Sequence, residues 1–215
     1  MRFVLFSISF FIAPYSADAN IPILVEPQEQ YQVIHIDEPD VSQAFYGTLK
    51  DAPHTFEITP AEQLNLFVEI QVPNTSFAHN NVSGIIVRQL TEGGVEEVAR
   101  LHARDASWES FFEPLSGDSY RRGPRYEGEI SPGTYFIEVS TPDNREPYVL
   151  IVGTKEDRTH IGYFETIARI AQVKVFFDKS QFTVVQSPFV YVPLGLLMAG
   201  MFLVHRMRRR WYSTV

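Results

Sequence analysis

The sequence predicts an all-β protein: an antiparallel, jelly-roll-like β-sandwich, followed by a short helix and one C-terminal transmembrane helix. Three observations predict this arrangement. Short stretches of alternating apolar and polar residues recur between residues 31 and 153, separated by groups of Pro, Gly, Asn and Asp. A stretch of 25 residues, 180–204, carries no charged side chain. Four arginines follow it within five positions.

The N-terminal segment, residues 1–19, has the features of a secretory signal peptide. A single arginine precedes an apolar run over residues 3–12, and Ala17 and Ala19 place small residues around a cleavage position. A run of this length is short for crossing a bilayer. We therefore expect export and a mature chain that starts at Asn20. The alternatives are an uncleaved anchor or a first strand.

Residues 20–158 are predicted to form the sandwich outside the membrane. In the clearest strand, alternate apolar residues from Leu64 to Val72 point to one face. Residues 133–140 repeat this pattern from Tyr135 to Val139. Shorter candidate strands are residues 31–36, 44–50, 54–59, 84–90, 96–102 and 147–153. Eight or nine short strands at this spacing favour an antiparallel β-sandwich.

One stretch, residues 104–129, interrupts this pattern and is rich in aromatic, charged and turn-forming residues. Connecting loops of that length in compact domains are usually functional or disordered, and the aromatic residues argue against disorder. We predict that this aromatic insert is a loop that contacts a ligand or partner. The residues assigned to that contact are Trp108, Phe111, Phe112, Tyr120, Arg121 and Arg122.

Residues 159–180 are predicted to form a juxtamembrane amphipathic helix or stalk. Glu165 lies four positions before Arg169, which is a favourable spacing for an ion pair on a helix. Apolar residues recur at helical spacing and would face the sandwich or the membrane surface. The predicted apolar face consists of Phe164, Ile167, Ala168, Ala171 and Val175.

Residues 181–204 are predicted to cross the cytoplasmic membrane, with residues 205–215 as a basic cytoplasmic tail. A helix over residues 182–204 would measure roughly 35 Å, enough for a hydrocarbon core of about 30 Å. Clustered arginines are retained on the cytoplasmic side, so the sandwich would lie outside. The alternative is a buried helix that ends a soluble domain. The residues assigned to anchoring are Pro193, Leu194, Leu196, Leu197, Phe202, Arg206, Arg208, Arg209, Arg210 and Trp211.

Within the predicted span, Gly195 and Ala199 are four positions apart. Small residues at this spacing let two helix backbones approach closely. Helix self-association through Gly195 and Ala199 is therefore a further prediction.

Composition narrows the classes of function. The chain has no cysteine, which excludes disulfides, thiolate metal sites and thiol catalysis. Its six histidines show no metal-ligand spacing. We predict no catalytic residues, no metal and no cofactor. Paired carboxylates leave open whether the protein binds calcium. Residues 20–187 hold 13 Lys and Arg against 25 Asp and Glu. Such an acidic body argues against nucleic acid as a partner.

The stretch from Ser131 to Gly153 resembles a known family. A Pro-Gly-Thr-Tyr turn at residues 132–135 leads into one alternating strand, and Tyr148, Leu150 and Val152 form a second. This pattern resembles the final hairpin of bacterial pre-peptidase C-terminal domains, and the likeness extends over residues 45–153. The resemblance implies a jelly-roll-like β-sandwich with a binding or accessory role and no catalysis of its own.

These features predict a non-enzymatic, single-pass membrane protein whose sandwich outside the cytoplasm acts as an interaction or accessory module. The expected partners are the lipid bilayer and another protein. The alternative is a carbohydrate- or cell-wall-binding module that uses the aromatic insert, because aromatic rings stack on the C–H faces of sugar rings.

Overall fold

The computed structural model describes residues 21–113, 116–155, 163–180, 185 and 187–212. These residues form a β-sandwich of eleven strands followed by two helices. The strands are β1 (Ile21–Val25), β2 (Val33–Ile36), β3 (Gln43–Thr48), β4 (His54–Ile58), β5 (Leu64–Pro73), β6 (Ser83–Gln89), β7 (Val95–Leu101), β8 (Glu109–Glu113), β9 (Asp118–Ile130), β10 (Tyr135–Ser140) and β11 (Pro147–Val152). The helices are α1 (Tyr163–Phe176) and α2 (Pro188–Tyr212).

Two sheets make up the sandwich. The six-stranded sheet has the order β1-β3-β11-β5-β9-β8, and the five-stranded sheet has the order β2-β4-β10-β6-β7. Most neighbouring strands are antiparallel, but β1 runs parallel to β3 and β2 runs parallel to β4. The predicted β-sandwich is therefore confirmed, whereas purely antiparallel pairing is wrong at these two edges.

The core lies between the inner faces of the sheets. Alternate residues of β5 from Leu66 to Val72 are fully buried there, together with Ile137 and Val139 of β10 and Leu150 of β11. The faces predicted for β5 and β10 are confirmed. Each such side chain stabilises the fold by about 1.5–3 kcal/mol relative to exposure in water.

The two strands that carry the family resemblance lie in different sheets. β10 pairs with β4 and β6, whereas β11 pairs with β3 and β5. The predicted hairpin is therefore wrong. Residues 141–146 are too many for a tight hairpin turn, and they are enough to cross the roughly 10 Å between stacked sheets.

The aromatic insert is mostly strand, so the prediction of a loop is wrong. After a short 3-10 turn, Ala103–Asp105, the chain forms β8 and β9, while residues 114 and 115 lie outside the described residues. β9 pairs with β5 along most of its length, and β8 adds the edge of the sheet. Gly123 and Pro124 interrupt the alternation of β9, and this interruption hides the strand in the sequence.

Helix α1 packs on the outer face of the six-stranded sheet. Its buried residues are Ile170, Val173 and Lys174, followed by Phe177 just after the helix ends. Val173 and Phe177 share an apolar cluster with residues of β3, β9 and β11. This spacing of three, four and seven positions is that of one helix face.

The apolar face predicted for this helix is wrong. Ala168 and Val175 are exposed, Ile167 and Ala171 are half-buried, and the side chain of Phe164 lies outside the described residues. Lys174 lies on the buried face instead, where its ammonium group pairs with Asp118 of β9. The predicted ion pair on the helix is present, with 2.8 Å between Arg169 Nη2 and Glu165 Oε1.

Helix α2 leaves its apolar side chains exposed. Ten large apolar residues between Tyr191 and Val204 have exposed fractions of 46–65%. Pro193 lies inside the helix, and a Cβ at Gly195 would meet no atom within 4 Å. These side chains therefore have no covering surface in the described part of the chain.

No helix among the described residues is both long enough and apolar enough to cross a membrane. Residues 181–184 and 186 of the predicted span lie outside the described residues, as do the side chains of Arg210 and Trp211. The predicted signal peptide, residues 1–19, lies outside them as well. The membrane crossing and the signal peptide stay predictions.

A buried histidine joins the two sheets. His54 Nδ1 of β4 lies 2.8 Å from the Tyr148 hydroxyl oxygen of β11, and the two rings meet edge to face. Gly47 on β3 leaves room for the Tyr148 ring, because a Cβ there would lie 2.6 Å from it. Burial lowers the pKa of His54 below 6.5, and the charge of Lys50 lowers it further.

We expect the free energy of unfolding to fall as the pH drops below 6.5, the ordinary pKa of histidine. The depressed pKa of His54 lets the unfolded chain bind a proton first, so stability present above 6.5 is lost towards the folded-state pKa. Denaturant unfolding of the full-length protein at several pH values measures this. His54→Gln should reduce the loss and the exposed His35→Gln should not. Equal pH dependence in His54→Gln and the parent would contradict the assignment.

Candidate binding site

A cleft of about 420 Å³ lies at the side of the sandwich, where edge strand β7 of one sheet approaches β8 and β9 of the other. Its volume is within the range of about 300–1,000 Å³ that ligand pockets occupy. The walls come from β5, β7, the 3-10 turn and the β8–β9 pair. The charged residues that line it are Arg100, Arg122, Arg125, Glu69, Asp105 and Glu109.

A β-bulge in β9 shapes one wall of the cleft. Glu69 pairs with Arg125 and Gln71 pairs with Arg122, so β9 has one more residue than β5 between these pairs. Gly123 and Pro124 fill this interval, and proline is tolerated at bulges because no ladder hydrogen bond is required of it. Bulges re-aim side chains next to binding sites. Here both flanking arginines reach the cleft.

Trp108 holds the bulge against the turn that precedes β8. Its indole N–H donates a hydrogen bond of 3.0 Å to the carbonyl oxygen of Ala103. The ring occupies the space that a Cβ at Gly123 would need, and it also packs on the core. Trp108 therefore supports the cleft wall and is only half-buried.

Arg122 is held on two sides. Its guanidinium carbon lies 3.6 Å from the centroid of the Phe111 ring, and its Nε lies 3.4 Å from Glu69 Oε1. Glu69 is buried and also accepts a hydrogen bond of 2.6 Å from Gln71 Nε2. A cation–π contact at an exposed site contributes about 0.5–1 kcal/mol. These contacts fix the guanidinium while 45% of the Arg122 side chain stays exposed.

The remaining charges in the cleft have both signs. Arg100 donates two hydrogen bonds to Glu97, through Nη2 at 2.5 Å and Nε at 3.3 Å, and this interaction lowers the pKa of the Glu97 carboxyl. Asp105, Glu109 and Arg125 are exposed and face the cleft. The cleft can therefore bind charged groups of either sign through charge-assisted hydrogen bonds.

Of the predicted contact residues, only Arg122 lines the cleft, and Phe111 packs against its guanidinium. Phe112 lies on the opposite face of edge strand β8 and is 57% exposed. Arg121 is half-buried and donates to the carbonyl oxygens of Ala78 and Pro73. These four residues therefore point to both faces of the β8–β9 pair.

Tyr120 does not lie on an exposed surface. Its side chain is 1% exposed and packs with Tyr46 under α1. A contact role for Tyr120 is therefore wrong for the structure as it stands.

Sequence reasoning missed Glu69, Arg100, His102, Asp105, Glu109 and Arg125. They come from five elements and from the link between β7 and the 3-10 turn, and only the fold brings them together. Arg121, Arg122 and Arg125 form a basic cluster in the sequence, and this cluster is the sequence feature that points nearest to the cleft. Among the described residues, no group of three or more His, Asp and Glu side chains could hold a metal ion.

Solved structures that are similar to this chain include the following three. The pre-peptidase C-terminal domain of collagenase from Bacillus anthracis is 10% identical and covers 59% of this chain and 98% of its own, with a TM-score of 0.36. Yersinia pseudotuberculosis-derived mitogen is 12% identical over 55% of this chain and 90% of its own, with a TM-score of 0.33. CBM35 from Cellvibrio japonicus Abf62 is 16% identical over 50% and 69%, with a TM-score of 0.27.

No protein-family model and no curated protein matches the chain. The β-sandwich that the resemblance to pre-peptidase C-terminal domains implies is present in the two packed sheets of this chain. At these identities the likeness concerns the fold alone.

Gly123→Ala should destabilise the protein by about 1–3 kcal/mol, because the added Cβ collides with the Trp108 ring. Trp108→Ala should also destabilise it, but the double variant should cost less than the two single changes together, since the collision is then absent. Denaturant unfolding of the full-length protein gives all three values. Strict additivity would show that the two residues do not support each other.

Proposed function

We propose that the protein is a non-enzymatic accessory module that binds a protein partner through the cleft and is held at a lipid bilayer by α2. The observation that supports binding most strongly is the stacked Arg122, whose guanidinium is fixed by Phe111 and Glu69 and still faces solvent. A positioned side chain loses little conformational entropy on binding. Arginine and aromatic residues are also enriched at the energetic centres of protein interfaces.

The composition of the cleft favours a polypeptide over a glycan. Three arginines and three acids line it, which suits a partner segment that carries both charges. A sugar ring stacks on a free aromatic face, whereas the Phe111 ring is covered by Arg122. Glycan binding through the exposed Phe112 is the alternative that the experiment below distinguishes.

Three features support the membrane anchor. The large apolar side chains of α2 are exposed around the helix between Tyr191 and Val204. A helix that is apolar all round is stable when lipid or protein surrounds it. Residues 180–204 carry no charge, and Arg206, Arg208 and Arg209 follow on the exposed end of α2. Such a cluster is retained on the cytoplasmic side, so the sandwich would lie on the other side.

The binding proposal predicts that a photocrosslinker at Ser107, on the cleft wall, captures a protein in native membranes, whereas one at the exposed Glu62 does not. Arg122→Glu should reduce the Ser107 crosslink about tenfold or more, because it places two carboxylates together. Arg145→Glu, which changes the same charge elsewhere, should leave it unchanged.

A Ser107 crosslink that is insensitive to Arg122→Glu would contradict the role of the cleft. Retention of the full-length protein on purified glycan, lost on Phe112→Ala and kept with Arg122→Glu, would favour the carbohydrate-binding alternative.

The anchor proposal predicts that the full-length protein stays in the membrane pellet after alkaline extraction and needs detergent for release. A variant that ends at residue 187 lacks α2 and should appear in the aqueous fraction. Leu194→Arg with Leu197→Arg should weaken retention, because both positions lie towards the middle of the predicted span and a charge near the centre of a bilayer costs about 2.5–3.5 kcal/mol per residue. Full-length protein found free in the aqueous extract would refute the anchor.

A further inference from the structure

Lys174 is completely buried beneath the last turn of α1. Its Nζ lies 3.0 Å from Oδ1 of Asp118, the first residue of β9, and Asp118 is itself only 8% exposed. Lys179, beyond the end of α1, lies 3.5 Å from Asp118 Oδ2. The buried Asp118 carboxylate thus faces two ammonium groups, one from the last turn of α1 and one from the segment that follows α1.

The groups around this carboxylate are tyrosines, one further acid and apolar side chains. Lys179 Nζ lies 4.6 Å from the centroid of the Tyr120 ring. Burial raises the pKa of Tyr46 and Tyr120, and the nearby carboxylates of Glu113 and Asp118 raise it further, so both hydroxyls stay neutral. The charged groups that face one another are therefore two lysines and two acids.

Helix α1 has a small apolar contact with the sheet. Ile170, Val173 and Phe177 are its buried apolar side chains, and Arg169 adds one hydrogen bond of 3.2 Å to the carbonyl oxygen of Pro22. A buried ion pair adds little stability over apolar residues of the same size, but removal of one partner leaves the other charge buried and unpaired. Docking of α1 therefore depends on both charges being present.

We infer that Asp118 and Lys174 form a docking ion pair that fixes α1 on the sandwich, and that loss of either partner releases α1 while the sandwich stays folded. α1 precedes α2 in the chain, so release of α1 would lengthen the undocked connection between the sandwich and α2. The inference does not depend on what the cleft binds.

β9 extends this inference to the cleft. Asp118, Tyr120 and Arg122 alternate along the strand and share its outer face, so the docking ion pair and the stacked guanidinium lie four residues apart on one element. Release of α1 should therefore raise amide hydrogen exchange at residues 118–122 of β9 before it affects β10.

Thiol labelling tests the inference, because the chain has no cysteine of its own. Three single cysteines are introduced into the full-length protein in detergent: Val173→Cys under α1, Gln172→Cys on its exposed side, and Ile137→Cys in the sandwich core. Each is combined with Lys174→Met, with Asp118→Asn, and with both changes together. The measured quantity is the rate of maleimide modification.

We expect Lys174→Met to speed labelling of Val173→Cys about tenfold or more, because local opening exposes the site. Asp118→Asn should act in the same direction. The double change should label more slowly than Lys174→Met alone, because it removes the buried Asp118 carboxylate, which in Lys174→Met keeps only the longer contact of 3.5 Å to Lys179. Gln172→Cys should label rapidly in every background, and Ile137→Cys should stay protected.

Two results would overturn the inference. An unchanged rate at Val173→Cys in Lys174→Met would show that apolar contact alone holds α1. Equal acceleration at Ile137→Cys would show that the pair belongs to the global fold and not to a separable helix. Both readouts concern α1 and the core, so the Ser107 crosslink remains an independent test of the cleft.

Discussion

Apolar contact between the inner faces of the two sheets holds this protein together. The chain has no cysteine, so no disulfide restricts its unfolded state. Strand β5 contributes most to this contact, since its alternate residues from Leu66 to Val72 are fully buried. β9 is hydrogen-bonded to β5, and its long pairing fixes where β8 and the bulge lie. The shape of the cleft therefore depends on the packing of the core.

The two faces of strand β5 have different roles, the inner face in the core and the outer face beside the cleft. Its inner face is apolar, whereas Glu69 and Gln71 on the outer face are polar and still buried. Glu69 can remain buried because Arg122 and Gln71 satisfy its charge and one of its oxygens. Charged groups held on strands are positioned more accurately than groups held on loops. Packing of β5 in the core therefore also fixes the position of Glu69, and through Glu69 the position of Arg122 in the cleft.

Local patterns in the sequence are sufficient for the strands that alternate cleanly. β5 and β10 could be predicted from their period of two, because one face of each is apolar and buried. β1 contains Pro22, and β9 contains Gly123 and Pro124, so neither shows that alternation. β1 pairs in parallel with β3, and β2 pairs in parallel with β4. No local sequence pattern reports which strand becomes the neighbour of which.

The buried face of α1 and the cleft could not be predicted for a related reason. From the sequence alone, a lysine is expected to face solvent. Lys174 is buried beside its partner Asp118, which lies on a strand 56 positions earlier. Likewise, Glu69, Arg100 and Arg125 meet through the pairing of distant strands. Of the residues that line the cleft, the basic cluster in the sequence contains only Arg122 and Arg125 among the charged ones.

The placement of β11 between β3 and β5 has a consequence for how the molecule is made. β11 is the last strand of the sandwich to be synthesised, yet it is a central strand of the six-stranded sheet, paired to a partner about a hundred residues earlier. Before β11 is synthesised, the β1–β3 pair and the β5–β9–β8 strands have no strand that connects them into one sheet. The six-stranded sheet can therefore be completed only after β11 has been synthesised, and contacts between residues so far apart in the sequence make its folding slow.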